Sequence, residues 1–220
     1  MKRHIPNILT LGNLSAGCAG LVWAFNGQLT WAAYAIWVAA LFDFLDGFVA
    51  RLLKTSSPIG KELDSLADMV TFGVLPAAIL YQLASVTLAN WRWLAFLPAL
   101  FAALRLAKFN IDTRQATGFI GMPTPAAAFL VSGLVFLPDG WPSGDFWYLL
   151  IAVIVALLLV APVRMLALKF SDYSFHRNWP RYALVLAAAG MIIWLGPVGL
   201  TAAIAFYTLL SLVLHIAKWE

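Results

Sequence analysis

The sequence is poor in charge and in residues that bind soft metals. Only 11% of its 220 residues are charged, against about 25% in an ordinary soluble domain, while 63% are hydrophobic and the mean hydropathy is +0.87. Its one cysteine excludes an intramolecular disulfide, and its three histidines share no zinc-ligand spacing with each other or with that cysteine. It also lacks a nucleotide P-loop, a serine-hydrolase elbow and an HExxH motif, so ATP hydrolysis and metalloproteolysis are unsupported.

Apolar runs fill the chain instead. We predict an all-α integral membrane protein, a bundle of about eight transmembrane helices that forms one domain over residues 1–220. The basic and apolar N-terminus resembles a cleaved signal peptide, but its length, its polar residues and the spans that follow favour a retained first helix. The predicted spans are 6–26, 30–53, 60–83, 91–110, 122–138, 146–168, 180–195 and 198–217.

Basic residues are distributed unevenly between the two ends of these spans. One side of the predicted membrane carries 13 of the 14 Lys and Arg residues, and the other side carries only Arg92. The positive-inside rule makes the basic side cytoplasmic, so we predict a multi-pass cell-membrane protein with both termini in the cytoplasm. This bias also explains the net charge of +4 without a nucleic acid partner, since no compact basic domain is visible.

Four carboxylates lie inside predicted spans, where each costs about 2.5–3.5 kcal/mol at the helix centre. Asp43 and Asp46 lie in the second span, and Asp64 and Asp68 lie in the third. The turn between the spans contains Ser, Pro and Gly, which predicts an antiparallel hairpin with all four carboxylates in one cytoplasm-facing polar pocket. The structural alternative is a helix-pairing network with the basic residues of the hairpin. Those residues are Arg51, Lys54 and Lys61.

The carboxylates predict a metal site because clustered negative charges repel unless cations lie among them. An all-oxygen ligand set favours hard ions, so we predict two divalent cations, Mg²⁺ or Mn²⁺, that bridge phosphate oxygens. Gly47 and Ala50 lie on the same helix face and let a ligand approach the backbone, although close helix packing explains them equally well. Arg51 is always cationic and suits a phosphate.

The spacing of these residues resembles a family signature. The run DFLDGFVARLLKTSSPIGKELDSLAD at 43–68 fits every fixed position of D-x2-D-G-x2-A-R-x8-G-x3-D-x3-D, the signature of CDP-alcohol phosphatidyltransferases. The resemblance implies a homodimeric transferase that moves the phosphatidyl group of CDP-diacylglycerol to an alcohol and releases CMP. It also implies that Asp68 ligates metal and acts as the catalytic base. By the same resemblance the other metal ligands are Asp43, Asp46 and Asp64, and the CDP contacts are Gly47, Ala50, Arg51 and Gly60.

The acceptor alcohol is suggested by a wider resemblance. Within that family the chain looks like the bacterial and archaeal membrane-type phosphatidylserine synthases, which implies L-serine as the acceptor in a lipid environment. The segments that carry this likeness are IPNILTLGNL at 5–14, the tract at 42–77, RLAKFNID at 105–112 and GFIGMPTPAAA at 118–128.

A zwitterion such as serine needs a cation for its carboxylate and a hydrogen-bond acceptor for its ammonium group. Candidates for these roles cluster at the cytoplasmic end of the fourth span, and Arg105 lies deepest in it. The positive-inside bias alone would supply such cations as well. The predicted acceptor-binding residues are Arg105, Lys108, Asn110 and Arg114.

The start of the first span is also polar. Asn7, Thr10 and Asn13 can hydrogen-bond the cytidine or the pyrophosphate in the same pocket, or they can pair with neighbouring helices.

Two alternative functions stay open. The same chemistry with glycerol 3-phosphate or an inositol phosphate requires a denser cation cluster, because those acceptors are dianions. A cation or proton transporter also buries carboxylates in a helical bundle, but it does not require the glycines of the signature or Arg51.

Overall fold

A computed structural model of the protein describes residues 4–55, 57–84, 90–111, 119–138, 145–166 and 175–217. The described chain is helical almost throughout. The α-helices are α1 His4–Phe25, α2 Leu29–Leu52, α3 Pro58–Asp68, α4 Leu75–Leu83, α5 Leu97–Ile111, α6 Thr124–Leu134, α7 Asp145–Val160, α8 Phe175–Leu195 and α9 Pro197–Ile216. A π-helical segment, Met69–Val74, joins α3 to α4, and a 3-10 turn, Arg92–Phe96, precedes α5. The strands in this part of the chain, β1 Phe119–Ile120 and β2 Arg164–Met165, pair antiparallel.

Within the described ranges, five helices are long and apolar enough to cross a membrane. This architecture confirms the prediction of an all-helical protein with several apolar helices of membrane-spanning length. Two further apolar helices are shorter, Thr124–Leu134 and Phe146–Val160. The five long helices are His4–Phe25, Leu29–Leu52, Pro58–Leu83, Arg92–Ile111 and Pro197–Ile216.

The sequence misplaced the ends of two helices. The predicted span at 146–168 is wrong over residues 161–166, where the chain leaves α7 and forms β2, and residues 167 and 168 lie outside the described residues. Pro162 explains the difference, because proline lacks a backbone N–H and disfavours a helical residue before it. The predicted span at 122–138 forms an α-helix of only 11 residues, α6. At 1.5 Å per residue, such a helix is roughly 16 Å long.

Small residues hold α1 against α2 and α4. A Cβ added at Gly20 would lie 2.9 Å from the Ala35 Cβ and would also clash with the Leu75 side chain, so glycine is required there. Ala32, Ala35 and Ile36 of α2 are fully or almost fully buried in the same core. Close packing of small residues is the usual basis of helix association in membranes. It brings the polar start of α1 alongside the hairpin of α2 and α3.

The hairpin turns sharply and α3 has a well-formed start. The Ser57 Oγ accepts a hydrogen bond from the Gly60 N–H at 3.1 Å, and Pro58 occupies the first helical turn. Directly after Asp68 the helix widens into the π-helical segment, in which Thr71 and Phe72 are buried in the core. The carboxylates of α3 are therefore followed at once by an apolar packing surface.

The C-terminal helices join the same bundle. Tyr207 of α9 shares an apolar cluster with Ala102 of α5 and Met165 of β2. The Leu166 N–H after β2 donates to the Ser211 Oγ of α9 at 3.1 Å. Gly121 has a φ of +76° and its Cα faces the Leu159 carbonyl, where a Cβ would clash, so the loop before α6 requires glycine. These contacts bring α9 to the side of α5.

Candidate active site

Three carboxylates from the hairpin converge. One carboxylate oxygen from each of Asp43, Asp64 and Asp68 lies within 4.8 Å of the other two. Asp64 and Asp68 are four residues apart on α3, so they share a face, and Asp43 reaches them from α2. Oxygen ligands at this spacing fit a hard divalent cation, which binds carboxylates at about 2.0–2.6 Å. We call these three residues the carboxylate cluster.

Asp46 has a different environment. Its side chain is buried and its Oδ2 accepts a hydrogen bond of 2.6 Å from the Thr10 Oγ1 of α1, which also contacts the Pro6 carbonyl at 3.1 Å. Asp46 is outside the carboxylate cluster and lies on the neighbouring cavity. The structure thus brings together three of the four predicted metal ligands and places the fourth beside them, held by α1.

A cavity of about 280 Å³ opens between α1, α2 and the start of α3. It contains several residues that the sequence assigned to the CDP moiety, among them Gly47, Ala50 and Gly60. Asp64 belongs both to this cavity and to the carboxylate cluster, so the two sites are continuous. The lining residues are Pro6, Asn7, Thr10, Asp46, Gly47, Ala50, Thr55, Ser57, Gly60, Lys61 and Asp64.

The two signature glycines serve different purposes. A Cβ added at Gly60 would lie 3.0 Å from the Ser57 Oγ and 3.1 Å from the Asn7 Oδ1, so Gly60 permits α1 to approach the start of α3. At Gly47, no atom of the described residues lies within 4 Å of an added Cβ, apart from the adjoining residues and backbone of α2 itself. Packing inside the described protein therefore does not require glycine at position 47, whereas a ligand close to the backbone would.

We expect Gly47→Ala to reduce kcat/KM for a nucleotide-linked lipid roughly ten- to a hundredfold, mainly through KM. The added methyl group enters space that a ligand needs, and overpacking costs about 1–3 kcal/mol. Because alanine is the better helix former, the melting temperature should hold or rise. Gly190→Ala on α8 is the matched control, since its added Cβ also meets no described atom within 4 Å. Unchanged lipid KM in Gly47→Ala would contradict a ligand at this position.

Sequence reasoning missed three polar residues of the cavity, Thr55, Ser57 and Lys61. The Thr55 Oγ1 is buried and has no hydrogen-bond partner among the described residues. Lys61 lines the cavity while its Nζ donates to the Asn110 carbonyl of α5 at 2.8 Å. Thr55 falls in the eight-residue gap of the signature, where no residue type is fixed. Lys61 was considered only as a counter-ion, and nothing in the local pattern links it to residue 110.

Two predicted CDP contacts do not line the cavity. Arg51 is exposed, and its Nε donates to the Gly47 carbonyl at 3.0 Å. Asn13 is fully buried one turn deeper than Thr10, and its Nδ2 donates to the Asp68 Oδ1 at 3.4 Å. Asn13 therefore faces the carboxylate cluster rather than the cavity.

The four predicted acceptor residues are not equivalent. Arg105 is buried, and its Nε and Nη2 have no hydrogen-bond partner among the described residues, although it interacts electrostatically with Asp68 and Tyr207. Lys108 is exposed, and Asn110 donates from Nδ2 to the Ser65 Oγ of α3 at 2.9 Å. Arg114 lies outside the described residues. Among the described candidates, Arg105 is the one that interacts with the carboxylate cluster.

Comparison with known proteins agrees with this geometry. The family model described as CDP-alcohol phosphatidyltransferase matches residues 3–160. The CDP-diacylglycerol--serine O-phosphatidyltransferase of Mycobacterium leprae is 36% identical over 197 residues, an alignment that spans 84% of this chain and 63%, just under two thirds, of that relative. The enzyme of the same name from Helicobacter pylori strain 26695 is 34% identical over 166 residues, 72% of this chain and 70% of the relative. The one from Bacillus subtilis is 38% identical over 134 residues, 60% of this chain and 76% of the relative. With its signature on one hairpin and the family model matched over most of its length, the chain belongs to the CDP-alcohol phosphatidyltransferase family.

Proposed function

We propose that the protein transfers the phosphatidyl group of CDP-diacylglycerol to the hydroxyl of L-serine, giving phosphatidylserine and CMP. The observation that carries this proposal is the continuity of the cavity and the carboxylate cluster through Asp64. A ligand with its nucleotide in the cavity would have its pyrophosphate beside the carboxylates. The names of the relatives support serine as the acceptor.

In this proposal the CDP moiety occupies the cavity. Gly47 and Ala50 leave room for it, and the buried Thr55 hydroxyl and Lys61 offer hydrogen bonds and charge to its polar groups. Arg51 is exposed on the same helix and can reach a phosphate by releasing its bond to the Gly47 carbonyl.

Two divalent cations, Mg²⁺ or Mn²⁺, fit the oxygen ligands of the hairpin. Asp43, Asp64 and Asp68 would hold them, and Asp46 would complete the set from the cavity side. When bound, such ions neutralise pyrophosphate charge and make a nearby hydroxyl more acidic.

The residues of the site then suffice for a direct displacement. The serine hydroxyl oxygen attacks the lipid-side phosphorus, its proton passes to Asp68, and the bond from that phosphorus to the CMP oxygen breaks. The Asn13 Nδ2 lies beside this carboxylate, 3.4 Å from the Asp68 Oδ1. CMP, which keeps the oxygen of the broken bond on its phosphate, leaves through the open cavity. The acyl chains stay in the lipid.

We further propose eight spans, a cell-membrane location and a cytoplasmic active site within a single domain over residues 1–220. The charge asymmetry supports this orientation, and its one exception has a structural explanation. Arg92 donates from Nε and Nη2 to the Tyr81 carbonyl at 3.0 and 2.7 Å, and its guanidinium lies 4.0 Å from the centroid of the Tyr81 ring. The homodimer implied by the family resemblance remains part of the proposal.

The alternatives are less well supported. Membership of a transferase family argues against a cation or proton transporter. Glycerol 3-phosphate or an inositol phosphate would bring a dianion, whereas in the described part of the chain the cation that interacts with the carboxylate cluster is Arg105.

The test is a CMP-release assay on the purified protein in detergent with CDP-diacylglycerol, Mn²⁺ or Mg²⁺ and a panel of alcohols. We expect L-serine to exceed glycerol 3-phosphate and inositol 1-phosphate at least tenfold in kcat/KM, with phosphatidylserine identified by mass. This factor corresponds to about one hydrogen bond to a charged group. Faster CMP release with a phosphorylated alcohol would assign a different acceptor.

A further inference from the structure

Two buried residues next to Asp68 carry polar atoms that have no hydrogen-bond partner in the described part of the chain. Asn13 is fully buried, and its Oδ1 has no hydrogen-bond partner among the described residues. Arg105 is 7% exposed, and its Nε and Nη2 are likewise without a described partner. Leaving such an atom unpaired is unfavourable, and more so for a charged group. Unpaired buried atoms of this kind are expected where a polar ligand binds and supplies the missing hydrogen bonds.

The chemical types of these atoms specify the ligand. Arg105 offers two adjacent N–H donors, which match the two oxygens of a carboxylate. Asn13 offers one carbonyl oxygen, an acceptor that matches an ammonium group. Both neighbour Asp68, Asn13 through the 3.4 Å contact and Arg105 through its electrostatic interaction. Serine has the matching polar groups: a carboxylate for Arg105, an ammonium group for Asn13 and a hydroxyl that can face Asp68.

We propose that Asn13 binds the ammonium group of the acceptor through its Oδ1 while Arg105 binds the carboxylate, so that the acceptor hydroxyl is directed at Asp68. This assignment rests on the proposed function and adds the residues that select the acceptor. It also divides α1 between the two substrates. Asn7 and Thr10 line the nucleotide cavity, whereas Asn13, one turn further along, faces the acceptor.

Acceptors that lack one charged group separate these roles. Asn13→Leu keeps a similar volume and removes the Oδ1, so kcat/KM for L-serine should fall roughly ten- to a hundredfold through the KM of serine. With 3-hydroxypropionate, which has the hydroxyl and the carboxylate but no amine, the same variant should lose less than about threefold. Arg105→Gln should show the converse pattern, with a large loss for serine and a small one for ethanolamine, which has no carboxylate.

Two further measurements keep the test decisive. Mn²⁺ affinity, measured by electron paramagnetic resonance, should be unchanged in Asn13→Leu. Asn13→Ser, which retains a smaller acceptor, should give a serine to 3-hydroxypropionate ratio between those of the wild type and Asn13→Leu. Thr71→Val is the matched control, because Thr71 is fully buried against Gly17 of α1 and its hydroxyl already donates to the Ala67 carbonyl. It should alter thermal stability without altering the acceptor ratio.

Each outcome has one meaning. An equal loss for serine and 3-hydroxypropionate, or a weakened Mn²⁺ affinity, would overturn the assignment and make Asn13 a residue that positions Asp68 or ligates metal. If 3-hydroxypropionate is too slow a substrate, its inhibition constant against serine should be equal in the wild type and Asn13→Leu, and a large rise would also overturn it. A wild type that does not use serine would instead refute the proposed function.

Discussion

Replacement of Asp43, Asp64 or Asp68 by asparagine is expected to lower CMP release at least about 1000-fold. These residues contribute the three converging carboxylate oxygens of the hairpin. Divalent cations contribute several kcal/mol to transition-state stabilisation, and about 1.4 kcal/mol corresponds to a tenfold change in rate. The protein should still insert and purify. Its melting temperature in metal-free buffer should hold or rise, because each substitution removes one half-buried carboxylate that repels the others.

Two comparisons sharpen this prediction. Glu62→Gln removes an exposed carboxylate from α3 and should leave the rate unchanged. Asp46→Asn should give a smaller loss with a rise in the KM for CDP-diacylglycerol, since asparagine can still accept the Thr10 hydrogen bond on the cavity side. Near-normal CMP release in any one of the three cluster variants would exclude that residue from the catalytic centre.

Removal of divalent cations is expected to abolish turnover entirely. A set of carboxylate oxygens without a soft ligand binds Mg²⁺ and Mn²⁺, so EDTA should stop CMP release and either ion should restore it. A second readout does not depend on catalysis. A ligand that binds only the folded state stabilises it. Mn²⁺ should therefore raise the melting temperature of the wild type, and it should raise that of Asp68→Asn much less. Full activity after exhaustive chelation would refute a metal-dependent site.

Periodicity in the sequence predicted most of the hairpin. Carboxylates at positions 43, 46, 64 and 68, with a Ser-Pro-Gly turn between the two pairs, were expected in one pocket, and three of them, at positions 43, 64 and 68, do converge. The sequence did not reveal that Asp46 is held by Thr10, because the two residues are 36 positions apart and only the packing of α1 on α2 brings them together. For the same reason Asn13 was assigned to the nucleotide, although it contacts Asp68, 55 positions away.

Hydropathy predicted the presence of the apolar helices more accurately than it predicted where they end. A sliding average continues through Ala161 and Pro162 because both residues are apolar, whereas the backbone of α7 ends at Val160. The pairing of β1 with β2 joins residues about 45 positions apart and involves only two residues on each strand. Such a short pairing leaves no alternating pattern that a sequence analysis can detect.

The π-helical segment after Asp68 makes the relative orientation of α3 and α4 depend on the number of residues between them. A turn closed by i→i+5 hydrogen bonds contains one residue more than an α-helical turn, so the same residues wound as a regular α-helix would rotate everything beyond them by about 100°. Leu75 and Ile79 would then leave the core, or the carboxylates of α3 would turn away from α2. Deletion of one residue between Met69 and Val74 would instead let a regular α-helix keep both faces in register, so a one-residue alignment gap there would mark the loss of the π-helical turn.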